Sequence, residues 1–253
     1  MTKVNPRICT LLSIGCAGWN TDAFFAKLPK ETSHLERYST VLRAVEINSS
    51  FYRSHRSATY TKWRELVPPD FRFSVKLPKQ ITHLSRLNDV DNALCLFMDG
   101  VSHLEEKLGC LLVQLPPSLQ YDRAIAEKFF ERLRTLTATS IACEPRHVSW
   151  SGSQASDTFE SYNISPVLAD PPIVNFETNK SSLCAIYIRL HGSPVIYRSA
   201  YSAEFLANLH TKIEQWQNSG RNVWCIFDNT ANGAALPNAL DLAKRCDISK
   251  INI

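Results

Sequence analysis

The chain has 253 residues, of which 44% are hydrophobic and 21% are charged, and its formal net charge is +4. This composition is ordinary for a globular protein with a large core, and it excludes a disordered chain. No uncharged apolar run reaches the roughly 18 residues that a membrane-spanning helix needs. The short apolar stretch Cys9–Ile14 lacks the long core and cleavage site of a signal peptide, so we expect a cytoplasmic protein without a membrane partner.

The eight cysteines are scattered, with no Cys-x-x-Cys pair and no zinc-ribbon spacing. Several lie inside apolar runs, as Cys225 does within residues 223–227. Free cysteine behaves as a small buried hydrophobe, so we expect reduced, structural thiols and a reducing compartment.

Eight short β-rich segments follow one another along the chain. Most are continuous apolar runs, which are typical of strands buried on both faces of a parallel sheet. The predicted strands are Thr10–Gly15, Ala44–Asn48, Phe71–Lys76, Cys110–Leu115, Ser140–Glu144, Ser165–Asp170, Leu183–His191 and Asn222–Asp228.

The segments between the strands have helical periodicity. Residues 122–137 predict a helix with Asp122 as its N-cap, and residues 202–219 predict another that ends at Gly220. Two units are irregular: Pro29 delays the first helix to about Thr32 or Ser33, and residues 171–182 are too short and proline-rich for a normal sixth helix. The alternation predicts one α/β domain over residues 1–253, a TIM-type (β/α)8 barrel with irregular first and sixth βα units.

Polar side chains collect where the predicted strands end. Period-two alternation places Glu46 with Asn48, Ser74 with Lys76, and Tyr187 with Arg189 and His191 on common faces. The C-terminal rim of a β/α barrel carries its catalytic residues, so these faces predict a site. The residues at the strand ends are Glu46, Asn48, Lys76, Gln114, Glu144, Arg146, Asp170, Arg189, His191, Asp228 and Asn229. The alternative is a purely structural charge network, in which Glu46, Glu144, Asp170 and Asp228 neutralise Lys76, Arg146 and Arg189.

The same segments resemble the signatures of the YecE-like family, whose members are domains of unknown function. The matching segments are residues 14–19, 46–52, 81–83, 114–117, 144–146 with 149–150, 187–192, and 227–230 followed by 238–239. The resemblance runs in order over nearly the whole chain and implies a TIM-type barrel, but it implies no reaction. The chain departs from the family pattern after Trp19, at residues 20–25.

The residue types favour an enzyme that acts on an anionic small molecule bearing phosphate or carboxylate, with acid–base, hydrolytic or lyase-type chemistry. Arg146 and Arg189 are suited to clamp the anion by paired hydrogen bonds. Glu46, Lys76, Glu144, His191 and Asp228 are the candidate catalytic residues, with Glu46 or Glu144 as general base. The candidate binding residues are Asn48, Tyr52, His83, Gln114, Arg146, Trp150, Arg189, Tyr197, Tyr201 and Asn229.

Two alternatives remain open. The first is a metal-dependent phosphoester hydrolase or nuclease-like enzyme with ligands among Glu46, His83, Glu144, Asp170, His191 and Asp228. We rank it lower because cations share the rim and no metal-binding motif is present, so we expect no cofactor and no bound metal. The second is a non-catalytic nucleotide- or nucleic-acid-binding module, in which loop cations stand beside aromatic rings. Its residues are Arg53, His55, Arg56, Lys79, Arg86 and Arg198 with Phe51, Tyr52, Trp150, Tyr197 and Tyr201.

Overall fold

Strands and helices alternate along the chain, and the strands close into a parallel barrel. The computed structural model describes residues 11–20, 32–174, 176 and 185–248. Each strand pairs with the next, and the first pairs with the last, in the order β1-β2-β3-β4-β5-β6-β7-β8. The strands are β1 (Leu12–Ala17), β2 (Ala44–Ile47), β3 (Arg72–Lys76), β4 (Leu108–Gln114), β5 (Ser140–Glu144), β6 (Ile164–Asp170), β7 (Ala185–Leu190) and β8 (Asn222–Phe227). The predicted α/β barrel of TIM type is confirmed.

Helices follow the strands on the outside of the barrel. They are α1 (His34–Val41), α2 (Ser57–Leu66), α3 (Asp91–Ser102), α4 (Arg123–Leu136), α5 (Ser153–Ser161), α6 (Ala203–Asn218) and α7 (Ala235–Arg245). Short 3-10 turns cover Ser49–Phe51, Glu105–Lys107 and Val148–Ser151, and a π-helical turn covers Gln80–Leu84. None of the helices in the described part of the chain is long and apolar enough to cross a membrane.

The predicted helix ends of α4 and α6 are confirmed. Asp122 accepts a hydrogen bond from the Ile125 amide at 3.1 Å, and Ser202 accepts one from the Phe205 amide at 3.2 Å. These bonds satisfy amides of the first helical turn that have no partner within the helix. Gly220 follows α6 with a φ of 83°, a left-handed conformation that glycine adopts without strain.

The two irregular units lie where the proline pattern predicted them. Ser33 caps α1 through a reciprocal capping box with Glu36, so the helix begins directly after the predicted position. In the described part of the sixth crossover, residues 171–174 and 176, no helix forms. Residues 21–31 and 177–184 lie outside the described residues, as do the predicted strand positions Thr10, Leu183 and Cys184.

The predicted alternation sorts the strand side chains between two apolar layers. One layer lies inside the barrel and consists of Ala44, Cys110, Leu112, Ala142, Val167, Tyr187, Trp224 and Ile226. The other lies under the helices and includes Ile47, Val75, Cys143, Cys225 and Phe227. The cysteines of the described segments are free thiols, as expected. Because apolar side chains fill the barrel interior, the polar inward-facing residues lie at its C-terminal end.

Candidate active site at the C-terminal ends of the strands

Arg189, near the end of β7, lies at the centre of the charged residues. Its Nε and Nη2 donate to the two oxygens of Glu46 at 3.0 and 2.8 Å, which is a bidentate pair. Nη1 donates to Glu144 at 2.6 Å, and Nη2 also donates to Asp228 at 3.1 Å. The side chain has no exposed surface. Arg189 therefore joins carboxylates from β2, from β5 and from the end of β8, and it offers a ligand no accessible surface.

Glu144 accepts hydrogen bonds on both carboxylate oxygens. Oε2 accepts from Arg189 and from the Gln114 amide at 3.0 Å. Oε1 accepts from Arg146 Nη2 at 3.1 Å and lies 3.0 Å from His191 Nε2. Burial alone raises the pKa of Glu144, but the charges of Arg189, His191 and Arg146 lower it well below its usual range. This geometry argues against the general-base role that the residue type allowed, because no lone pair of Glu144 remains free.

His191, directly after β7, lies between two carboxylates. Its Nδ1 is 3.0 Å from Asp228 Oδ2, and its Nε2 is 3.0 Å from Glu144 Oε1. Ionised carboxylates only accept hydrogen bonds, so both ring nitrogens must donate, which requires the imidazolium form. Burial alone lowers the pKa of His191, but the hydrogen bonds to Asp228 and Glu144 outweigh it and raise the pKa. The two hydrogen bonds therefore assign His191 the imidazolium form in the cluster.

Asp228 keeps one carboxylate oxygen unused. Oδ2 accepts from Arg189 and His191, whereas Oδ1 has no hydrogen-bond partner among the described residues. Burial alone raises the pKa of Asp228, but the charges of Arg189, His191 and Lys76 lower it. Asp228 is thus an ionised carboxylate with a free acceptor.

Lys76, the last residue of β3, is the most unusual group at the site. Its side chain is buried, with only 6% of the residue exposed, and its Nζ lies 4.2 Å from the centre of the Phe51 ring. Within the described segments no carboxylate comes within ion-pair distance of Nζ, and no acceptor bonds it. Burial, followed by the charge of Arg189, lowers the pKa of Lys76 to about 8.

Loops that follow β2, β3, β5 and β7 surround the opening of the barrel next to Lys76. We call this opening the mouth. The His83 ring stacks edge-on against Phe51, with centroids 4.8 Å apart. Burial, then the charges of Lys76 and Arg146, lower the pKa of His83. Tyr197 is partly exposed, with its ring edge-on to His191.

Tyr52 and Asn48 also belong to the loop after β2. Tyr52 is 70% exposed beside Phe51. The buried Asn48 Oδ1 has no hydrogen-bond partner within the described part of the protein.

Three candidate binding residues lie inside the protein instead. Trp150 is in the core, and its indole donates to the Leu119 carbonyl at 3.0 Å. The Tyr201 hydroxyl accepts from the Gly192 amide and donates to Asp170. Asn229 has no exposed surface and donates to the Ser199 carbonyl. The polar groups of Trp150 and Tyr201 thus bond protein atoms, whereas the buried Asn229 Oδ1 has no hydrogen-bond partner within the described segments. Ligand binding by these three side chains stays a prediction.

The metal alternative finds little support in the donor set. No group of three or more His, Cys, Asp or Glu side chains in the described segments is arranged to hold a metal ion. Arg189 bonds Glu46 and Glu144, and both nitrogens of His191 are engaged. Asp170 is bound to Tyr201.

The loop cations of the nucleic-acid alternative divide into two groups. Arg86 donates to Ser118, and His55 bonds Ser49 and packs on Trp63, so both have partners within the protein. Lys79 and Arg198 are exposed. Nucleic-acid binding stays a prediction.

Comparison with known proteins identifies the family. The model of the family described as "Protein of unknown function DUF72" matches residues 13–252. The chain belongs to the DUF72 family. The predicted resemblance is thereby confirmed, since the relatives of this DUF72 protein include the UPF0759 protein YecE of Escherichia coli K12, which is 33% identical over 82 residues. That match covers 32% of this chain and 30% of YecE. The UPF0759 protein YunF of Bacillus subtilis is 21% identical over 94% of this chain and 95% of its own length.

Solved DUF72 structures share the fold. A DUF72 family protein of Enterococcus faecalis V583 superposes with a TM-score of 0.80 at 20% identity, covering 95% of this chain and 97% of its own. One from Thermotoga maritima MSB8 also gives a TM-score of 0.80, at 23% identity, over 94% of this chain and 99% of its own. At these identities the likeness shows the barrel alone.

Sequence reasoning missed three residues that support the site of this DUF72 protein. The Tyr187 hydroxyl donates to Glu46 at 3.0 Å and lies 2.7 Å from the Ser74 hydroxyl, so both residues support the Glu46 carboxylate. Each lies on the inward face of its strand, two residues before Arg189 or Lys76. The period-two alternation of the strands was the sequence signal that could have identified them. Phe51, which was assigned only to loop aromatics, is the surface on which Lys76 rests.

Proposed function

We propose that the barrel mouth of this DUF72 protein binds an anionic small molecule bearing a carboxylate or phosphate and performs acid–base chemistry on it. The observation that carries the proposal is the Lys76 ammonium, which is buried at the strand ends without a carboxylate partner among the described residues. An isolated buried charge is costly, and a ligand of opposite charge offsets that cost.

The charge balance of the cluster supports an anion. The cluster has three carboxylates, those of Glu46, Glu144 and Asp228. They are already bonded by three cations, which are Arg189, Arg146 and a protonated His191. A protonated Lys76 therefore adds a positive charge that no buried carboxylate of this set balances. An anion at the mouth completes the neutralisation, which a purely structural network would supply from its own residues.

Three donors with spare capacity converge on the mouth. They are Lys76, Arg146, whose side chain is 21% exposed, and His83, whose pKa both of these cations lower. Glu144 holds Arg146 by one edge of its guanidinium, Nε and Nη2. The Nη1 side is left for a carboxylate or phosphate, beside the Tyr197 hydroxyl, which also interacts with Arg146.

The acid–base group we assign is Lys76. General catalysis is most efficient when the pKa of the group lies near the working pH, and the pKa of Lys76 is lowered to about 8. Asp228 supplies a free acceptor oxygen for a substrate hydroxyl, while Arg189 and Glu144 position the groups around it without contacting the substrate.

Sulfate, which stays dianionic over the relevant pH range, is a suitable probe of the anion site. We expect sulfate to raise the melting temperature above that in chloride of equal ionic strength. At a sulfate concentration of 100 times Kd, binding adds about 2.7 kcal/mol to the free energy of unfolding. Lys76→Gln should remove most of the sulfate-specific shift. Lys79→Gln, which removes an exposed lysine three residues further on, should retain it.

The comparison between the two lysine variants decides the proposal. A full sulfate shift in Lys76→Gln, or no shift in the unaltered protein beyond that in chloride, would falsify it. Sulfate also stabilises folded proteins by exclusion from their surfaces, and the shift that remains in Lys76→Gln measures that general contribution, while Lys79→Gln controls for the loss of any lysine.

A further inference from the structure

The two buried lysines of the described chain differ in how their ammonium groups are satisfied. Lys107 is 7% exposed, and its Nζ donates to the carbonyls of Arg64 and Val67 at 2.7 Å each. Lys76 is 6% exposed, yet the described residues give its Nζ no acceptor, only the face of the Phe51 ring. The fold therefore satisfies one buried lysine as a structural group and leaves the other free to react.

The surroundings of Lys76 raise its share of uncharged amine above that of an exposed lysine. The charged or titratable groups that act on it are Arg189, Glu46, Asp228 and Glu144, with His83 above it. Burial and Arg189 outweigh the carboxylates, and the resulting pKa of about 8 leaves about a tenth of Lys76 unprotonated at pH 7. A desolvated lysine next to another cation is the usual setting of an amine nucleophile.

We propose that Lys76 is a nucleophile that forms an imine with the carbonyl group of an anionic oxo compound, whose acid group Arg146 binds. The smallest members of this substrate class are α-oxo acids. This inference rests on the anion site of the proposed function and adds the reacting group of the substrate.

The step is balanced without an oxidant or a reductant. The Nζ lone pair forms a bond to the carbonyl carbon while the carbonyl π electrons move to oxygen, which takes up a proton, and the nitrogen releases one. The hydroxyl of the resulting carbinolamine then takes up a proton and leaves as water. The nitrogen releases its second proton, and its lone pair forms the C=N bond. One amine and one carbonyl thus give one imine and one water, and hydrolysis reverses the step.

Protein groups are available for these proton transfers. Asp228 Oδ1 has no hydrogen-bond partner in the described segments and is an acceptor for the proton that leaves nitrogen. The His83 ring bonds Thr82 through Nδ1 at 2.8 Å, which leaves Nε2 to exchange a proton with the departing hydroxyl. His83 and Lys76 both contact the Phe51 ring, and the charges of Asp228 and Lys76 shift each other's pKa.

Reductive trapping of the full chain tests the inference directly. The probe is glyoxylate, the smallest anionic aldehyde, with cyanoborohydride to reduce any imine, and labelled lysines are mapped by mass spectrometry of peptides. We expect Lys76 to be labelled at least about tenfold faster than Lys79 at neutral pH, because far more of it is amine. The Lys76 rate should rise with pH through about 8 and then level off.

Controls separate this inference from the anion site itself. Lys79→Gln should leave the labelling of Lys76 unchanged, and propanal, which lacks the acid group, should lose the preference for Lys76. Labelling spread over exposed lysines without preference for Lys76 overturns the inference, and equal preference with propanal overturns the anionic substrate class. Because mapping uses the unaltered protein, a folding defect in a variant does not affect the result. A sulfate shift without Lys76 labelling leaves the anion site standing and removes the imine.

Discussion

At the scale of single residues, Arg189 determines where the buried carboxylates lie. Its guanidinium bonds Glu46, Glu144 and Asp228, and none of its surface is exposed. We expect Arg189→Met to lower the free energy of unfolding by about 3–5 kcal/mol, because it leaves carboxylates buried without their counter-charge. Urea unfolding followed by circular dichroism measures the change.

A surface arginine provides the control for this prediction. Arg123 on α4 has a side chain that is 60% exposed, so Arg123→Met should change stability by less than about 0.5 kcal/mol. Adding Glu46→Gln to Arg189→Met should restore part of the lost stability, because it removes one of the uncompensated charges. If Arg189→Met costs no more than Arg123→Met, the carboxylates do not depend on this guanidinium.

The same residues show which parts of the site a sequence reveals. Alternation along β2, β3 and β7 was sufficient to place Glu46, Lys76 and Arg189 on the inward face, because side-chain direction is a local property of a strand. Which inward groups meet across the axis depends on the register and tilt of the whole barrel. The sequence could not indicate that Arg189 bonds three carboxylates while Lys76 bonds none of those in the described segments. The burial of Trp150 was not indicated for a related reason: a 3-10 turn directs its ring into the core, which its place in a loop did not reveal.

At the scale of elements, β1 and β2 approach so closely that one position requires glycine. A Cβ on Gly15 would lie 2.1 Å from the Ala44 carbonyl oxygen. The Tyr38 hydroxyl bridges the same strands, accepting from the Cys16 amide at 2.9 Å and donating to that carbonyl at 2.8 Å. We expect Gly15→Ala to cost about 1–3 kcal/mol or more, because backbone atoms must move apart. The loss is measured as a lowered melting temperature.

Gly152, before α5, is the matched control for the glycine prediction. It has a φ of −74°, and a Cβ there would meet only the Ser149 carbonyl oxygen, at 3.9 Å. Gly152→Ala should therefore shift stability by less than about 0.5 kcal/mol. Equal melting temperatures for the two variants would contradict the close approach of β1 and β2.

At the scale of the whole molecule, the charged cluster links strand ends around the barrel and ties global stability to pH. His191 has a raised pKa, so its contribution is fully present below about pH 6.5, the unfolded value, and is lost as the pH rises through the folded value. Glu144 and Asp228 have lowered pKa values, so their contribution is present above about pH 4 and is lost as the pH falls through the folded values. The cluster therefore stabilises the barrel most between these limits.

His191→Gln isolates the alkaline side of this dependence. We expect the melting temperature of the unaltered protein to exceed that of His191→Gln most at about pH 6, and the difference to shrink as the pH rises through the raised pKa of His191, where the imidazolium loses its proton. His210→Gln, a change on the outer helix α6, should give a difference that does not follow this course. If the difference in melting temperature between His191→Gln and the unaltered protein is the same at about pH 6 and at alkaline pH, His191 is not the imidazolium that its two carboxylate partners require.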